Sequence, residues 1–148
     1  MKDKNMTKDD FKTEYFWALR YIKNYFSKLE VIAEIGSRDG LDAIALAEIF
    51  QSRYNYIFEA DPNLAREIES NISNPNLSSQ FNLYKLALGN YDKIVNFFAV
   101  DLNKYDNKGV GSLYEINFSN REPSDPDNNR ENVQKTIEVE MKRYISLN

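Results

Sequence analysis

The order of apolar runs and helical segments between residues 30 and 88 constrains the fold more than any other feature of the chain. Strand-like runs alternate there with helical periodicity, in the order 30–35 (EVIAEI), 41–50, 54–60 (YNYIFEA), 62 to about 72, and 82–88 (NLYKLAL). Strands that alternate with helices pair in parallel, because each helix returns the chain to the end of the sheet where the previous strand began. We therefore predict an α/β fold in which residues 30–35 form a buried parallel strand.

Outside residues 30–88 the sequence predicts a helix, two strands and a loop. Apolar side chains recur at helical spacing over residues 11–29, which predicts an amphipathic helix. Residues 94–100 and 136–144 have strand character with no helix between them, and these two strands could pair as a hairpin. The polar stretch 119–132 is expected to be a surface loop.

Two further expectations concern organisation and packing. The chain of 148 residues is long enough for one domain with a single core. We predict an N-terminal helix within residues 1–29, followed by one domain over residues 30–148. In the helix over residues 41–50, helical spacing places four apolar side chains on one face: Leu41, Ile44, Ala45 and Ile49.

Composition excludes several classes of site. The chain has no Cys and no His, so disulfides, thiol nucleophiles, imidazole triads and zinc sites built on these residues are impossible. We predict no metal site; a metal would need carboxylates and carbonyls.

The net charge of −4 disfavours nucleic-acid binding through phosphates. No apolar run approaches the roughly 20 residues that span a bilayer. Because residues 1–10 also lack a signal-peptide pattern, we expect a cytoplasmic protein without a membrane partner.

The segment 34–40 (EIGSRDG), at the first strand-to-helix junction, suggests a nucleoside cofactor. Gly36 allows a tight turn and close approach of a ligand to the backbone. Free N–H groups at the start of the next helix would offer a site for an anion or a carboxylate. Glu59 follows the second strand, 19 residues after Gly40, where an acid can accept hydrogen bonds from ribose hydroxyls.

The pattern favours S-adenosylmethionine over a dinucleotide. A dinucleotide fingerprint has a second Gly that makes room for the pyrophosphate, and Arg38 stands at that position. Glu34 would repel a pyrophosphate but suits the ammonium of a methionine moiety. Two alternatives stay open: an NAD-type nucleotide domain, and an unrelated α/β protein in which Gly36 and Gly40 only shape the turn.

A set of motifs resembles the FkbM-type methyltransferase family over about residues 31–146. The motifs are, in chain order, 34–40 (EIGSRDG), 58–62 (FEADP), 71–72 (NI), 86–89 (LALG) and 109–113 (GVGSL). The resemblance implies a class I, Rossmann-like methyltransferase that uses S-adenosylmethionine, often on hydroxyl groups of sugars or natural products. It implies a small-molecule acceptor as substrate.

The resemblance also implies a role for each matching position. Glu34 and the glycine loop, defined as Gly36, Ser37, Arg38, Asp39 and Gly40, would hold the methionine part of the cofactor, and Glu59 the ribose. The remaining positions are Ala60 and Asp61 beside the adenosine, Leu86 and Ala87 at the border of the adenine, and Ser112 near the mouth of the site.

Two departures from the family bear on function. The family usually has a GAN-type loop where this chain has Gly36, Ser37 and Arg38. Arg38 could pair with Asp39, with Asp42 or with a substrate carboxylate. The family's later strands, one of them ending in an acidic motif, are expected to be missing after residues 136–144, which predicts a Rossmann-like sheet incomplete at its C-terminus.

Two classes of function therefore stay open. One is an enzyme, or its cofactor-binding part, that transfers a methyl group to oxygen. The other is a non-catalytic binding or interaction module that has kept the Rossmann-like half. The catalytic base is unknown from the sequence. An incomplete sheet would favour a homodimer or a partner chain that supplies the missing strands.

Overall fold

The structure, a computed structural model, describes residues 16–117 and 133–144 and is mixed α/β. The chain divides into two compact units, Met1–Lys85 and Leu86–Asn148. The elements of the first unit are α1 (Phe16–Lys23), β1 (Val31–Ile35), α2 (Leu41–Phe50), β2 (Tyr54–Phe58), α3 (Pro62–Ile72) and β3 (Gln80–Tyr84). Those of the second unit are β4 (Ala87–Leu88), β5 (Lys93–Val100), a 3₁₀ turn (Lys108–Val110) and β6 (Gln134–Lys142).

The first unit contains a three-stranded parallel sheet in the order β1-β2-β3. Its register pairs Glu34 with Ile57 and Ile57 with Leu83, so these three side chains share one face of the sheet. The helical side chains Ala43 and Ile68 pack with Ile57 at the centre of this face. The predicted α/β class with parallel strands is therefore confirmed.

Small side chains let α2 pack closely on the sheet. Its buried residues are Ala43, Ala45, Ala47 and Phe50. The apolar face predicted from periodicity is wrong in part, because Leu41 is 51% exposed and lines, with Ile44, an open groove of about 350 Å³ beside the end of α3. Leu41 and Ile44 face this groove, whereas Phe50 and the three alanines are the buried side chains of the helix.

β1 is parallel as predicted, but it is not buried on both faces. Val31 and Ile35 are 55% and 67% exposed, and Ala33 between them is exposed as well. Only Ile32 and Glu34, on the other face, are partly buried. Helices α2 and α3 pack on the face of the sheet that carries Glu34 and Ile57, so they leave the opposite face of β1 uncovered. β1 is also an edge strand of the described sheet.

Two predicted elements have different bounds. The helix predicted over residues 11–29 ends at Lys23, and the predicted start at residue 11 lies outside the described residues. Leu29 instead donates its N–H to the Phe50 carbonyl (3.1 Å) and packs with Leu19 and Phe50, so a tertiary contact overrides the periodicity. The strand predicted over residues 82–88 is two strands, because Ala87 and Leu88 pair with β6 rather than with β2.

The second unit contains a mixed sheet in the order β4-β6-β5. β5 pairs antiparallel with β6 along its whole length, as predicted, with Val95 opposite Val139 and Phe97 opposite Ile137. Gln134 ties this unit together: its side-chain amide donates to the Val110 carbonyl (2.7 Å) and accepts from the Ile116 N–H (2.9 Å). The predicted loop at residues 119–132 lies outside the described residues.

None of the helices in the described residues has both the length and the apolar character that crossing a membrane requires.

Candidate functional site

The glycine loop connects β1 to α2 through three residues in the left-handed region of backbone space. Gly36, Arg38 and Gly40 have φ angles of 74°, 60° and 78°. Glycine adopts such angles without strain, whereas Arg38 does so at a cost. Gly36 donates its N–H to the Phe58 carbonyl (2.8 Å), and Gly40 donates to the Ser37 carbonyl (3.0 Å). The loop is therefore a tight, specifically bonded turn.

Space beside the two glycines differs. A Cβ added at Gly36 would meet nothing within 4 Å, so a ligand has room against this part of the backbone. A Cβ at Gly40 would lie 3.1 Å from Ile68 Cγ2 on α3. Gly36 thus serves the turn and leaves open space, while Gly40 also lets α3 approach the start of α2.

Carboxylates of the chain itself occupy part of the α2 N-terminus. Asp39 Oδ1 accepts from the Leu41 N–H (3.1 Å), and Glu34 accepts from the backbone amide of Ala43. The expectation that the first-turn amides are free is wrong for these two. Helix N-termini carry partial positive charge, which attracts anionic ligands. Because the Asp39 and Glu34 carboxylates already lie there, an anionic ligand would be attracted less strongly.

Glu34 is a half-buried acid with an unusual proton affinity. Its Oε2 accepts a hydrogen bond from Ser37 Oγ at 2.5 Å. Burial is the main cause that raises its pKa, and repulsion from Asp42 and Asp39 raises it further, while the bonds from Ser37 and Ala43 lower it; the result is a pKa of about 7. Glu34 therefore changes charge near neutral pH.

Glu59 links the glycine loop, which follows β1, to the segment that follows β2. It is 5% exposed, its Oε2 accepts from the Arg38 N–H (3.0 Å), and its Oε1 accepts from the Asp61 N–H (2.8 Å). Burial raises its pKa, and hydrogen bonds from the backbone amides of Asp61, Arg38 and Ala60 oppose that rise. Each carboxylate oxygen has a second lone pair, so Glu59 keeps acceptor capacity for a ligand.

Three of the other predicted site residues have local roles in the same unit. The Asp61 carboxylate caps α3, accepting from the Asn63 N–H (2.8 Å), with Pro62 at the start of the helix as predicted. Arg38 Nε lies 3.6 Å from Asp39 Oδ2, which is the first of the pairings expected for it. Ala60 lies between Glu59 and Asp61 and is partly buried.

The other three predicted residues belong to the second unit. Leu86 and Ala87 are each 7% exposed, and Ala87 pairs with Met141 of β6. Ser112 exchanges backbone hydrogen bonds with Phe98, and its Oγ accepts from the Tyr114 N–H (3.1 Å). Their roles at a cofactor stay predictions.

Sequence reasoning assigned no role to Asn71, although it lies in a motif of the resemblance. Its side-chain Nδ2 donates to the Asp39 carbonyl at 2.9 Å. A signal was present: Asn71 follows Leu64 and Ile68 at helical spacing, so it is a polar residue on the buried face of α3. Such a residue must find a hydrogen-bond partner.

Within residues 16–117 and 133–144 no three carboxylates converge as a metal-binding group.

No protein-family model, no curated protein and no solved structure matches this chain. The resemblance to the FkbM-type family stays a prediction from the motifs.

Proposed function

We propose that this chain binds S-adenosylmethionine at the glycine loop and forms the cofactor-binding part of an FkbM-type, class I methyltransferase. Three of the motifs that suggested the family lie together in the first unit. Segments 34–40 and 58–62 are linked through Glu59, and Asn71 binds the glycine loop from α3. A Rossmann-like fold is part of this proposal, supported by the parallel order β1-β2-β3.

The charge around the start of α2 is the observation that carries the proposal. Glu34, Asp39 and Asp42 lie around the first turn, and the guanidinium of Arg38 lies beside Asp39. A pyrophosphate placed there would meet three acids and find two of the first-turn amides already used. The ammonium and sulfonium of S-adenosylmethionine are cations and would be attracted. This favours S-adenosylmethionine over an NAD-type dinucleotide.

Glu59 fits the ribose of the same ligand. The carboxylate lies at the end of β2, one strand away from the glycine loop, and its position is held by two backbone amides. Its remaining lone pairs can accept hydrogen bonds from two vicinal hydroxyls. The open space beside Gly36 leaves room for the ligand chain that connects the two ends.

The bound cofactor would supply an activated methyl group for in-line transfer. The residues of this chain would hold the methionine end through Glu34 and the glycine loop, and the ribose through Glu59, so that the methyl group is oriented toward an acceptor. Following the resemblance, we propose a hydroxyl on a sugar or another small molecule as that acceptor. We assign no catalytic base.

A non-catalytic binding or interaction module is the second candidate. The exposed apolar stripe of β1, formed by Val31, Ala33 and Ile35, favours it, because a parallel edge strand of this kind usually packs against further structure. A second copy of the chain or a partner chain that packs on this face would cover the stripe, and one that continues the sheet would pair with the backbone edge.

Isothermal titration with S-adenosylhomocysteine tests the proposal, with NAD as the competing ligand. We expect micromolar binding of S-adenosylhomocysteine, no binding of NAD, and loss of binding in Gly36→Val, whose side chain would occupy the ligand space and strain the turn. Binding of NAD alone, or no binding of either by a folded protein, would contradict the proposal. The second outcome would favour the interaction module.

A further inference from the structure

Helix α3 holds the glycine loop at two adjacent points. Ile68 lies against Gly40, close enough that a Cβ there would be only 3.1 Å from its Cγ2. One turn later, Asn71 donates its Nδ2–H to the Asp39 carbonyl oxygen at 2.9 Å. The first contact is apolar packing; the second is a directional hydrogen bond to the loop backbone.

The hydrogen bond from Asn71 completes a clamp on one peptide group. In the peptide between Asp39 and Gly40, the carbonyl is held by Asn71 and the N–H is held by the Ser37 carbonyl (3.0 Å). With both ends bonded, this peptide plane cannot rotate without losing two hydrogen bonds. Its orientation sets the φ angle of Gly40, which is 78°.

The clamped peptide directly precedes α2. Gly40 is the N-cap of the helix, and Leu41, Asp42 and Ala43 form its first turn. A rotation of the Asp39–Gly40 peptide would displace the Asp39 side chain, whose Oδ1 accepts from the Leu41 N–H. It would also shift the Ala43 amide relative to Glu34. The hydrogen bond from Asn71 therefore influences the positions of the groups that are proposed to face the methionine end of the ligand.

We propose that Asn71 is a positioning residue that fixes the glycine loop in its binding conformation. Asn71 is assigned no direct contact with the ligand; it acts through the Asp39–Gly40 peptide. The part of this inference that concerns affinity rests on the proposed function, whereas the part that concerns the loop does not.

The test uses the full chain and three variants. Asn71→Asp keeps the shape of the side chain and removes the donor, and Asn71→Leu removes the donor without adding charge. Asn74→Asp is the matched control, because it adds the same charge three residues later. Its carboxylate keeps the acceptor that Asn74 Oδ1 presents to the Asn76 N–H. If Asn71→Leu does not fold, Asn71→Asp carries the test.

The first readout is amide hydrogen exchange in the ligand-free protein. We expect the Arg38 and Gly40 amides to exchange roughly tenfold faster in both Asn71 variants, and the Ile57 amide at the centre of the sheet to be unchanged. Unchanged exchange at Arg38 and Gly40 would overturn the inference. An equal rise at Ile57 would overturn it too, since Asn71 would then stabilise the whole unit rather than the loop.

The second readout is the affinity for S-adenosylhomocysteine. We expect it to fall roughly five- to twentyfold in both Asn71 variants and to stay within twofold in Asn74→Asp, as loss of one hydrogen bond implies. Unchanged affinity in the Asn71 variants would overturn the positioning role. If the wild-type chain binds no S-adenosylhomocysteine but the loop amides still exchange faster in the variants, the proposed function fails while the effect of Asn71 on the loop stands.

Discussion

At the scale of single residues, the two acids at the strand ends, Glu34 and Glu59, differ in how their surroundings affect their ionisation. Glu34 is half-buried, bonded to Ser37 and close to Asp39 and Asp42, so burial and repulsion both favour its protonated form. Glu59 is buried more deeply, and burial raises its pKa as well, but the hydrogen bonds that it accepts from several backbone amides oppose that rise. With a pKa of about 7, Glu34 is a group whose charge responds to pH near neutrality.

Ligand affinity should follow the ionisation of Glu34. With a pKa of about 7, Glu34 is charged at pH 8 and mostly neutral at pH 6. Because a neutral acid attracts an ammonium weakly, we expect the affinity for S-adenosylhomocysteine to fall roughly tenfold from pH 8 to pH 6. Titration calorimetry at both values measures this. Glu34→Gln should bind weakly and equally at both, and the exposed Glu48→Gln should behave as wild type. An equal pH dependence in Glu34→Gln would contradict this role.

The same group sets a pH dependence of stability in the opposite direction. The pKa of Glu34 is raised by folding from 4.5 to about 7, so the folded chain binds this proton more tightly than the unfolded chain. The resulting stabilisation is full below pH 4.5 and is lost as the pH rises through 7. We expect Glu34→Gln to show a smaller loss of thermal unfolding temperature between pH 5 and pH 8 than wild type. Parallel curves for the two proteins would exclude this contribution.

Removal of the Glu59 carboxylate should affect binding and the loop together. Glu59→Ala loses the proposed acceptor for ribose hydroxyls and also the hydrogen bonds that Glu59 accepts from the Arg38 and Asp61 amides. We expect the binding free energy for S-adenosylhomocysteine to weaken by about 1–3 kcal/mol. Calorimetry measures the loss, with Glu48→Ala as a control on an exposed acid. An unchanged affinity in folded Glu59→Ala would show that Glu59 only links the two loops.

At the scale of elements, the two glycines that bound the loop differ in what they demand. Both have positive φ angles, but only Gly40 lies against another helix. The contact with Ile68 couples α3 to the start of α2, and the hydrogen bond from Asn71 acts at the same junction. The junction between the two helices is therefore more sensitive to added atoms than the turn itself.

This difference predicts an order of destabilisation. Gly36→Ala should cost about 1–2 kcal/mol of unfolding free energy, because an alanine is strained at positive φ but meets no neighbour. Gly40→Ala should cost more, because it carries the same strain and also presses on Ile68. Urea denaturation of both variants measures the two values. Equal losses would show that α3 yields to the added methyl group without cost.

At the scale of the whole molecule, the exposed stripe of β1 is an apolar surface available for association. Val31, Ala33 and Ile35 lie on the same face of an edge strand, and its outer backbone edge pairs with no other strand among the described residues. Exposed edges of this kind promote association. The proposed homodimer or partner chain would meet the protein there.

A charge placed on this stripe should reduce association without harming the site. Val31 lies at the opposite end of β1 from the glycine loop and is 55% exposed, so Val31→Lys should leave the fold intact. We expect sedimentation velocity to show less concentration-dependent association in Val31→Lys, with S-adenosylhomocysteine affinity within twofold of wild type. If both proteins sediment identically as dimers, β1 is not the interface.

The alternation of apolar runs and helical segments by itself determined the α/β class, the parallel pairing of β1, β2 and β3, and the bounds of α2 and α3. Local patterns sufficed there, because strand and helix periodicities and the Asp61-Pro62 cap act over a few residues. Segment 34–40 likewise marked the turn, and Glu59 the strand-end acid beside it.

Only the tertiary structure decided what depends on residues far apart in the chain. It ended α1 at Lys23, moved Ala87 and Leu88 to a second sheet, and left one face of β1 exposed. It also raised the pKa of Glu34 and brought Asn71 onto the loop, 32 residues away in sequence. Burial, charge repulsion and hydrogen bonding between distant residues depend on distances that a local sequence pattern does not contain.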